Sequence, residues 1–126
     1  MHDKLLFDNT FYSDFETEIA TGRIGPARRF LQSMPKTRVI VSVVTIAEYY
    51  ERFGRVAAAK LAVNHATIGL HLADALKCGE IQTRLAAKRL GENDAWLAAQ
   101  AMRAGATIVT RDKRFKDVRG LSVATY

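Results

Sequence analysis

Short apolar runs rich in β-branched residues alternate with longer stretches of helical spacing along the whole chain. Leu5-Leu6-Phe7 stops abruptly at Asp8-Asn9-Thr10, which reads as a buried strand running into a turn or helix cap. Phe11, Tyr12, Phe15 and Ile19 then recur near helical spacing over residues 11–20, followed by Gly22 and Gly25. Pro26 suits the first turn of a second helix holding Ala27, Phe30, Leu31 and Met34, and Pro35 breaks it. Val39-Ile40-Val41 predicts a second strand, ended by Ser42. Residues 43–53 read as a helix with Val44, Ala47 and Tyr50 on its apolar face, stopped by Gly54. The alanine-rich stretch 56–63 is helical, residues 66–70 form a short third strand, and residues 72–88 form a long amphipathic helix. Leu72, Leu76, Ile81 and Leu85 mark its apolar positions, with Gly79 inside it. Gly91-Glu92-Asn93-Asp94 is a turn and helix start, residues 95–103 the helix, and Gly105 its left-handed cap. Residues 106–109 make a further buried strand, residues 110–117 are polar, and Leu121-Ser122-Val123 predicts the last strand.

Strands separated by helices imply an α/β domain with a mostly parallel sheet, because parallel neighbours need helical crossovers. Such a sheet is covered on both faces, so its strands are nearly all apolar. The 126 residues fit one domain, spanning 1–126, large enough to bury a core. At 48% hydrophobic and 25% charged the chain is an ordinary globular one. No run is apolar enough for a bilayer, and the opening residues do not resemble a signal peptide, so a cytoplasmic protein without membrane contact is expected. Cys78 is the single cysteine, which excludes an internal disulfide framework and a cysteine-rich zinc site. With no His or Asn placed to activate it, it reads as a small core residue rather than a nucleophile. A net charge of +6 suits a polyanionic partner, and equally a solvated basic surface or an acidic protein.

The acidic residues fall in a pattern on this scaffold. Asp8 directly follows the first strand, Asp112 comes just after the strand ending at Val109, and Glu48 lies near the start of the helix after Ser42. Asp94 starts the helix feeding the last of those strands, so it too belongs near the carboxyl edge of the sheet, where open parallel sheets bind ligands. Taken singly, each has a plain structural reading: Asp8 and Asp94 as helix caps, Glu48 as a solvated helix residue, Asp112 as a turn residue. Taken together, four carboxylates in one cleft repel one another unless some protonate or a cation compensates. Oxygen-only donors suit one or two Mg²⁺ or Mn²⁺ ions. The histidines, His2, His65 and His71, are scattered and give no zinc signature.

Four segments resemble the PIN-domain nucleases, and specifically the VapC-type toxins of toxin–antitoxin pairs. These are Leu5 to Thr10, Val41 to Tyr50, Gly91 to Ala99 and Ala104 to Asp112, in that order and spacing across a short basic chain. The resemblance implies a three-layer α/β/α sandwich and makes Asp8, Glu48, Asp94 and Asp112 an acidic quartet that holds the metal. Thr10 occupies a polar position that family members often fill with Asn or Ser, and Thr110 matches a common supporting hydroxyl. The resemblance further implies an endoribonuclease, a cognate antitoxin and a homodimer.

The chemistry agrees with that implication. A carboxylate-held cation lowers the pKa of water, and hydrolysis without a covalent intermediate leaves 5′-phosphate and 3′-hydroxyl ends. Asp8 and Asp94 are the expected main ligands, with Glu48 binding metal or orienting water and Asp112 completing a second site. Arg52, Lys88, Arg89, Arg111 and Lys113, with Arg114 and Lys116, are candidates for holding RNA phosphates. Three alternatives stand beside this reading. They are a PIN-domain ribonuclease of RNA processing or decay without an antitoxin, a non-catalytic nucleic-acid-binding module, and a flavodoxin-like receiver or nucleotide-binding domain. No Gly-rich phosphate loop or paired acid after the first strand favours the last.

Overall fold

The computed structural model describes residues 4–34 and 38–126, so the expected break at Pro35 and the position of His2 lie outside the described residues. Five strands form one sheet: β1 (Lys4–Phe7), β2 (Arg38–Ser42), β3 (Ala66–Ile68), β4 (Thr107–Val109) and β5 (Ser122–Ala124). Six α-helices connect or flank them: α1 (Asn9–Thr21), α2 (Pro26–Ser33), α3 (Val43–Phe53), α4 (Arg55–Asn64), α5 (Leu72–Leu85) and α6 (Glu92–Ala104). The strand order is β3-β2-β1-β4-β5, and every neighbouring pair is parallel. The chain thus builds outward from β1 on one side and then returns to add β4 and β5 on the other. The reversal puts a topological switch point between the carboxyl ends of β1 and β4, the crevice in which open α/β sheets bind ligands.

The central strand carries the two cores. Leu5 and Phe7 face one way, into a cluster with Phe11, Tyr12, Ala27, Tyr49 and Leu61 from α1 to α4. Leu6 faces the other way, with Ile108, into a cluster built from α5, α6 and Phe115. That two-residue alternation makes the three-layer sandwich. On the first face Phe7 stacks on Phe11 with centroids 4.0 Å apart, and the Tyr126 ring meets Phe11 edge-on. On the second, a run of small residues on α6 (Ala95, Ala98, Ala99 and Ala101, all buried) lets that helix lie close against the sheet.

Local chemistry fixes the helix ends. Asp8 caps α1, its Oδ1 accepting from Phe11 N at 2.9 Å, and Ser42 caps α3 by accepting from Val44 N. Glu18 reaches from α1 to the start of α2, where its carboxylate accepts from the N–H groups of Gly25, Ala27 and Arg28. A side chain at Gly25 would collide with that carboxylate at 2.7 Å. Burial pushes the Glu18 carboxyl up, but the three N–H bonds outweigh it and hold the group below its ordinary value. Gly105 closes α6 in the left-handed conformation, φ 65°.

Two expected faces are corrected. On α3 the buried positions are Thr45 and Tyr49, while Tyr50 is 53% exposed and Ala47 also faces out. The helix is turned by its Tyr49 ring, which packs edge-on against Tyr12. On α5 Leu72 and Leu76 stand 77% and 69% exposed, and Asp74 is the residue buried in the first turn. Its burial is possible because Arg103 donates to both Asp74 oxygens and His71 N donates to Oδ2. The helix also ends at Leu85, where Ala86 adopts φ 51° before a short 3₁₀ turn, rather than running to Lys88.

Gln100, fully buried on α6, accepts from Ser42 Oγ at 2.5 Å and donates to the carbonyls of Ile68 and Gly69. It ties the carboxyl ends of β2 and β3 to the helix below them. Gln100→Leu keeps the volume but leaves the buried Ser42 hydroxyl without its acceptor and takes one donor each from the Ile68 and Gly69 carbonyls. It is expected to lower unfolding free energy by about 1–3 kcal/mol in urea denaturation.

Candidate active site

Asp8 stands at the end of β1 and is 3% exposed. Besides capping α1 it accepts from Thr110 Oγ1 at 2.5 Å. Thr110 is itself buried just past β4, and its hydroxyl accepts from Asp112 N. One hydroxyl therefore sets Asp8 against the loop that carries Asp112, across the switch point. Asp8 does cap the helix, with one oxygen, while its other oxygen accepts from Thr110.

Asp94 lies in the first turn of α6, which begins at Glu92 after the cap residue Gly91. Its carboxyl is pushed up to about 6 by burial, then by the negative charges of Asp8 and Asp112, with Glu48 adding to them and Arg114 opposing. Asp8 is raised as well, first by burial, with Asp112 and Asp14 adding and the bonds from Thr110 and Phe11 N opposing. The four acids expected from the sequence therefore share one electrostatic environment at the carboxyl edge of the sheet.

Their partners differ. Glu48, half-buried on α3, accepts from the side-chain amides of Asn9 and Asn93, each from a residue adjacent to a quartet acid. Asp112 caps the 3₁₀ turn Lys113–Asp117 and pairs with Arg114, whose guanidinium lies 2.6 Å from Oδ2. The Arg114 side-chain bond is the main reason Asp112 sits below its ordinary value. Beside Asp8, Asp14 is held by Arg111 at 2.9 Å and by the Tyr126 hydroxyl at 2.7 Å.

Thr10 is exposed one residue past Asn9, and it is Asn9 that reaches Glu48. Among the basic candidates, Arg52 lines the cleft beside Glu48, Arg111 is engaged with Asp14, and Lys88, Arg89 and Lys113 are exposed. Asn9, Asn93 and Asp14 join the site beyond the residues expected from the sequence, and Arg114, expected to hold phosphate, is paired with Asp112. The available signal was adjacency: Asn9 and Asn93 sit next to Asp8 and Asp94, and Arg114 two residues after Asp112.

The donor set suits a hard divalent cation, being all oxygen and carrying a negative field on Asp94 that Arg114 only partly offsets. Among the described residues no three His, Cys, Asp or Glu side chains are gathered closely enough to hold one ion. The bonds of Asp112 to Arg114 and of Glu48 to the two amides occupy those carboxylates, and a cation would compete with these partners. Among the described residues no helix is long and apolar enough to cross a membrane.

The PIN domain family model matches residues 18–121. No curated protein sequence matches the chain. Among solved structures, VapBC2 from Rickettsia felis bound to a DNA fragment from its promoter is 20% identical at TM-score 0.73, covering 98% of both chains. VapBC-1 from nontypeable Haemophilus influenzae is 21% identical at TM-score 0.73, covering 97% of both. The sarcin–ricin loop cleaving toxin VapC20 of Mycobacterium tuberculosis is 19% identical at TM-score 0.65, covering 91% of this chain and 95% of that one.

Proposed function

The chain belongs to the PIN domain family, and on that premise we propose that it is a Mg²⁺- or Mn²⁺-dependent endoribonuclease acting as the toxin of a toxin–antitoxin pair. The observation that carries the proposal is the arrangement at the switch point, where Thr110 ties Asp8 to the loop of Asp112 and the charges of Asp8, Asp112 and Glu48 all act on the Asp94 carboxyl. A binding module gains nothing from such mutual repulsion, whereas a metal-dependent hydrolase needs it.

When bound, the cation supplies charge neutralisation and Lewis-acid activation of water. Asp8 and Asp94 would hold it, with Asp112 joining them once Arg114 lets go. Glu48, steadied by Asn9 and Asn93, orients the attacking water and takes its proton. The water oxygen bonds to phosphorus as the bond to O3′ breaks, and O3′ takes a proton from solvent. Arg114, freed from Asp112, and Lys113 meet the phosphates. VapC structures solved as VapBC complexes support an antitoxin partner for this chain. The exposed Leu72 and Leu76 of α5 and Val56 and Val63 of α4 are apolar surface that a protein partner would cover.

Purified protein is expected to cleave single-stranded RNA with Mg²⁺ or Mn²⁺, to stop in EDTA, and to leave 5′-phosphate and 3′-hydroxyl ends by end-labelling. Undiminished cleavage in EDTA, or 2′,3′-cyclic phosphate ends, would sink the proposal. For the toxin role, induction should arrest growth, and co-expression of a neighbouring small DNA-binding protein should relieve it.

A further inference from the structure

Between α1 and α3 a cleft of about 450 Å³ opens beside Glu48. Among the described residues, four buried side-chain polar atoms have no hydrogen-bond partner within the protein: Asn9 Oδ1, the Tyr12 hydroxyl, Ser13 Oγ and Thr45 Oγ1. All four belong to residues that line this one cleft. Thr45 is 1% exposed and Tyr12 9%, so bulk water does not satisfy these groups, and an occupant reaches them as the side chains over the cleft floor move aside. Elsewhere the fold supplies partners for its buried polar side chains, as at Glu18, Asp74, Gln100 and Thr110. A cluster of orphaned groups in a fold otherwise so complete calls for a ligand that completes them.

The chemistry of the cleft narrows that ligand. The four orphans are neutral, three hydroxyls and one amide oxygen, and together they offer both donors and acceptors. That mixture suits the heteroatom edge of a base or the hydroxyls of a ribose. A phosphate would require cations on the floor, and a lone ion would leave most of the volume unfilled. At the lip stands Phe53, 37% exposed, with the Arg52 guanidinium 5.6 Å from its ring centroid. Aromatic rings and guanidinium planes are the surfaces on which unpaired bases stack. The volume lies within the range of small-molecule pockets. Glu48 belongs to both the cleft and the acidic cluster, so an occupant would lie directly beside the reacting phosphate.

We propose that this cleft takes the base and ribose of one unpaired RNA nucleoside next to the scissile phosphate. The inference rests on the endoribonuclease reading above. Tyr12→Phe and Thr45→Val test it, because each removes a hydroxyl that has no partner in the free protein while keeping the shape. Both variants should melt at or slightly above the wild-type temperature. Each should weaken binding of a fluorescein-labelled single-stranded RNA of about 12 nucleotides, measured by anisotropy in EDTA, by roughly 5-fold, the worth of one hydrogen bond. In cleavage assays KM should rise with kcat little changed, and annealing the RNA to its complement should abolish tight binding by the wild type. Variants that melt lower and bind RNA as the wild type does would assign the hydroxyls to the fold and overturn the proposal. If the wild type cleaves RNA and the variants match it in KM, only the nucleoside site falls. If the wild type neither binds nor cleaves RNA, the endoribonuclease reading falls with it.

Discussion

Asp94→Asn should abolish cleavage and, in the same protein, raise metal-free stability at neutral pH. The loss of activity follows from removing a main ligand for the cation. It should exceed the 10–100-fold typical of outer-shell partners and reach about 10³-fold. The gain in stability follows from the electrostatics. Burial and the charges of Asp8, Asp112 and Glu48 raise the Asp94 carboxyl to about 6 in the folded chain, above its value in the unfolded chain. An acid raised by folding binds more protons in the native state, so it lowers stability as pH climbs from the unfolded toward the folded value. Below about pH 4 the carboxyl is protonated in both states and the penalty vanishes. At neutral pH it is present in full, at about 1–3 kcal/mol. Thermal melts in EDTA should therefore show the variant above wild type at neutral pH and level with it near pH 4. Mn²⁺ should raise the wild-type melting temperature and leave the variant's nearly unchanged. A variant that cleaves RNA as fast as wild type would remove Asp94 from the site. One that melts lower at neutral pH would mean that the carboxylate stabilises the fold.

Which parts of this site were legible in the sequence depends on how local their physical causes are. The strands at Leu5, Val39 and Ile108 announce themselves because a parallel strand buried on both faces must be apolar throughout. Once they are placed, Asp8 and Asp112 follow as the residues at their carboxyl ends, and Glu48 nearly so. Asp94 depended on the motif around it, since a helix-start aspartate reads first as a cap, and here the cap position belongs to Gly91. The remainder was hidden because its causes are long-range. Asn9 and Asn93 matter only because α3 brings Glu48 between them. Gln100 sits in a helix otherwise lined with alanine, and nothing near it in sequence reveals a hydroxyl 58 residues away. The faces of α3 and α5 were misjudged for the same reason. Apolar periodicity ranks Leu72 above Asp74, but it cannot register the arginine that makes Asp74 the buried residue.

That arginine sets the second large effect. Asp74 is 1% exposed, and its charge is balanced by Arg103, whose Nε lies 2.8 Å from Oδ1. Arg103 also donates to Gly69 O, so the pair locks the start of α5 and the segment after β3 onto α6. Burial pushes the Asp74 carboxyl up, but the Arg103 bond and His71 N outweigh it and leave the group below its ordinary value. Arg103→Ala strands a buried carboxylate with His71 N as its remaining partner. Because Arg103 keeps some contact with solvent, the expected cost is about 3 kcal/mol, at the low end for a broken buried pair. The pH dependence has a definite sign. In the wild type the pair's stabilisation is complete above the unfolded carboxyl value, about 4, and is lost as pH falls through the lowered folded value. In Arg103→Ala the carboxyl is raised instead, so the variant is penalised most at neutral pH and the gap to wild type closes on acidification. Arg103→Ala/Asp74→Asn should recover much of the loss, since the uncompensated charge is gone while the side-chain oxygen still caps α5 through His71 N. Urea denaturation at neutral and acid pH measures all three. A gap between Arg103→Ala and wild type that stays constant with pH would mean that Arg103 acts through packing and its bond to Gly69, rather than through the charge of Asp74.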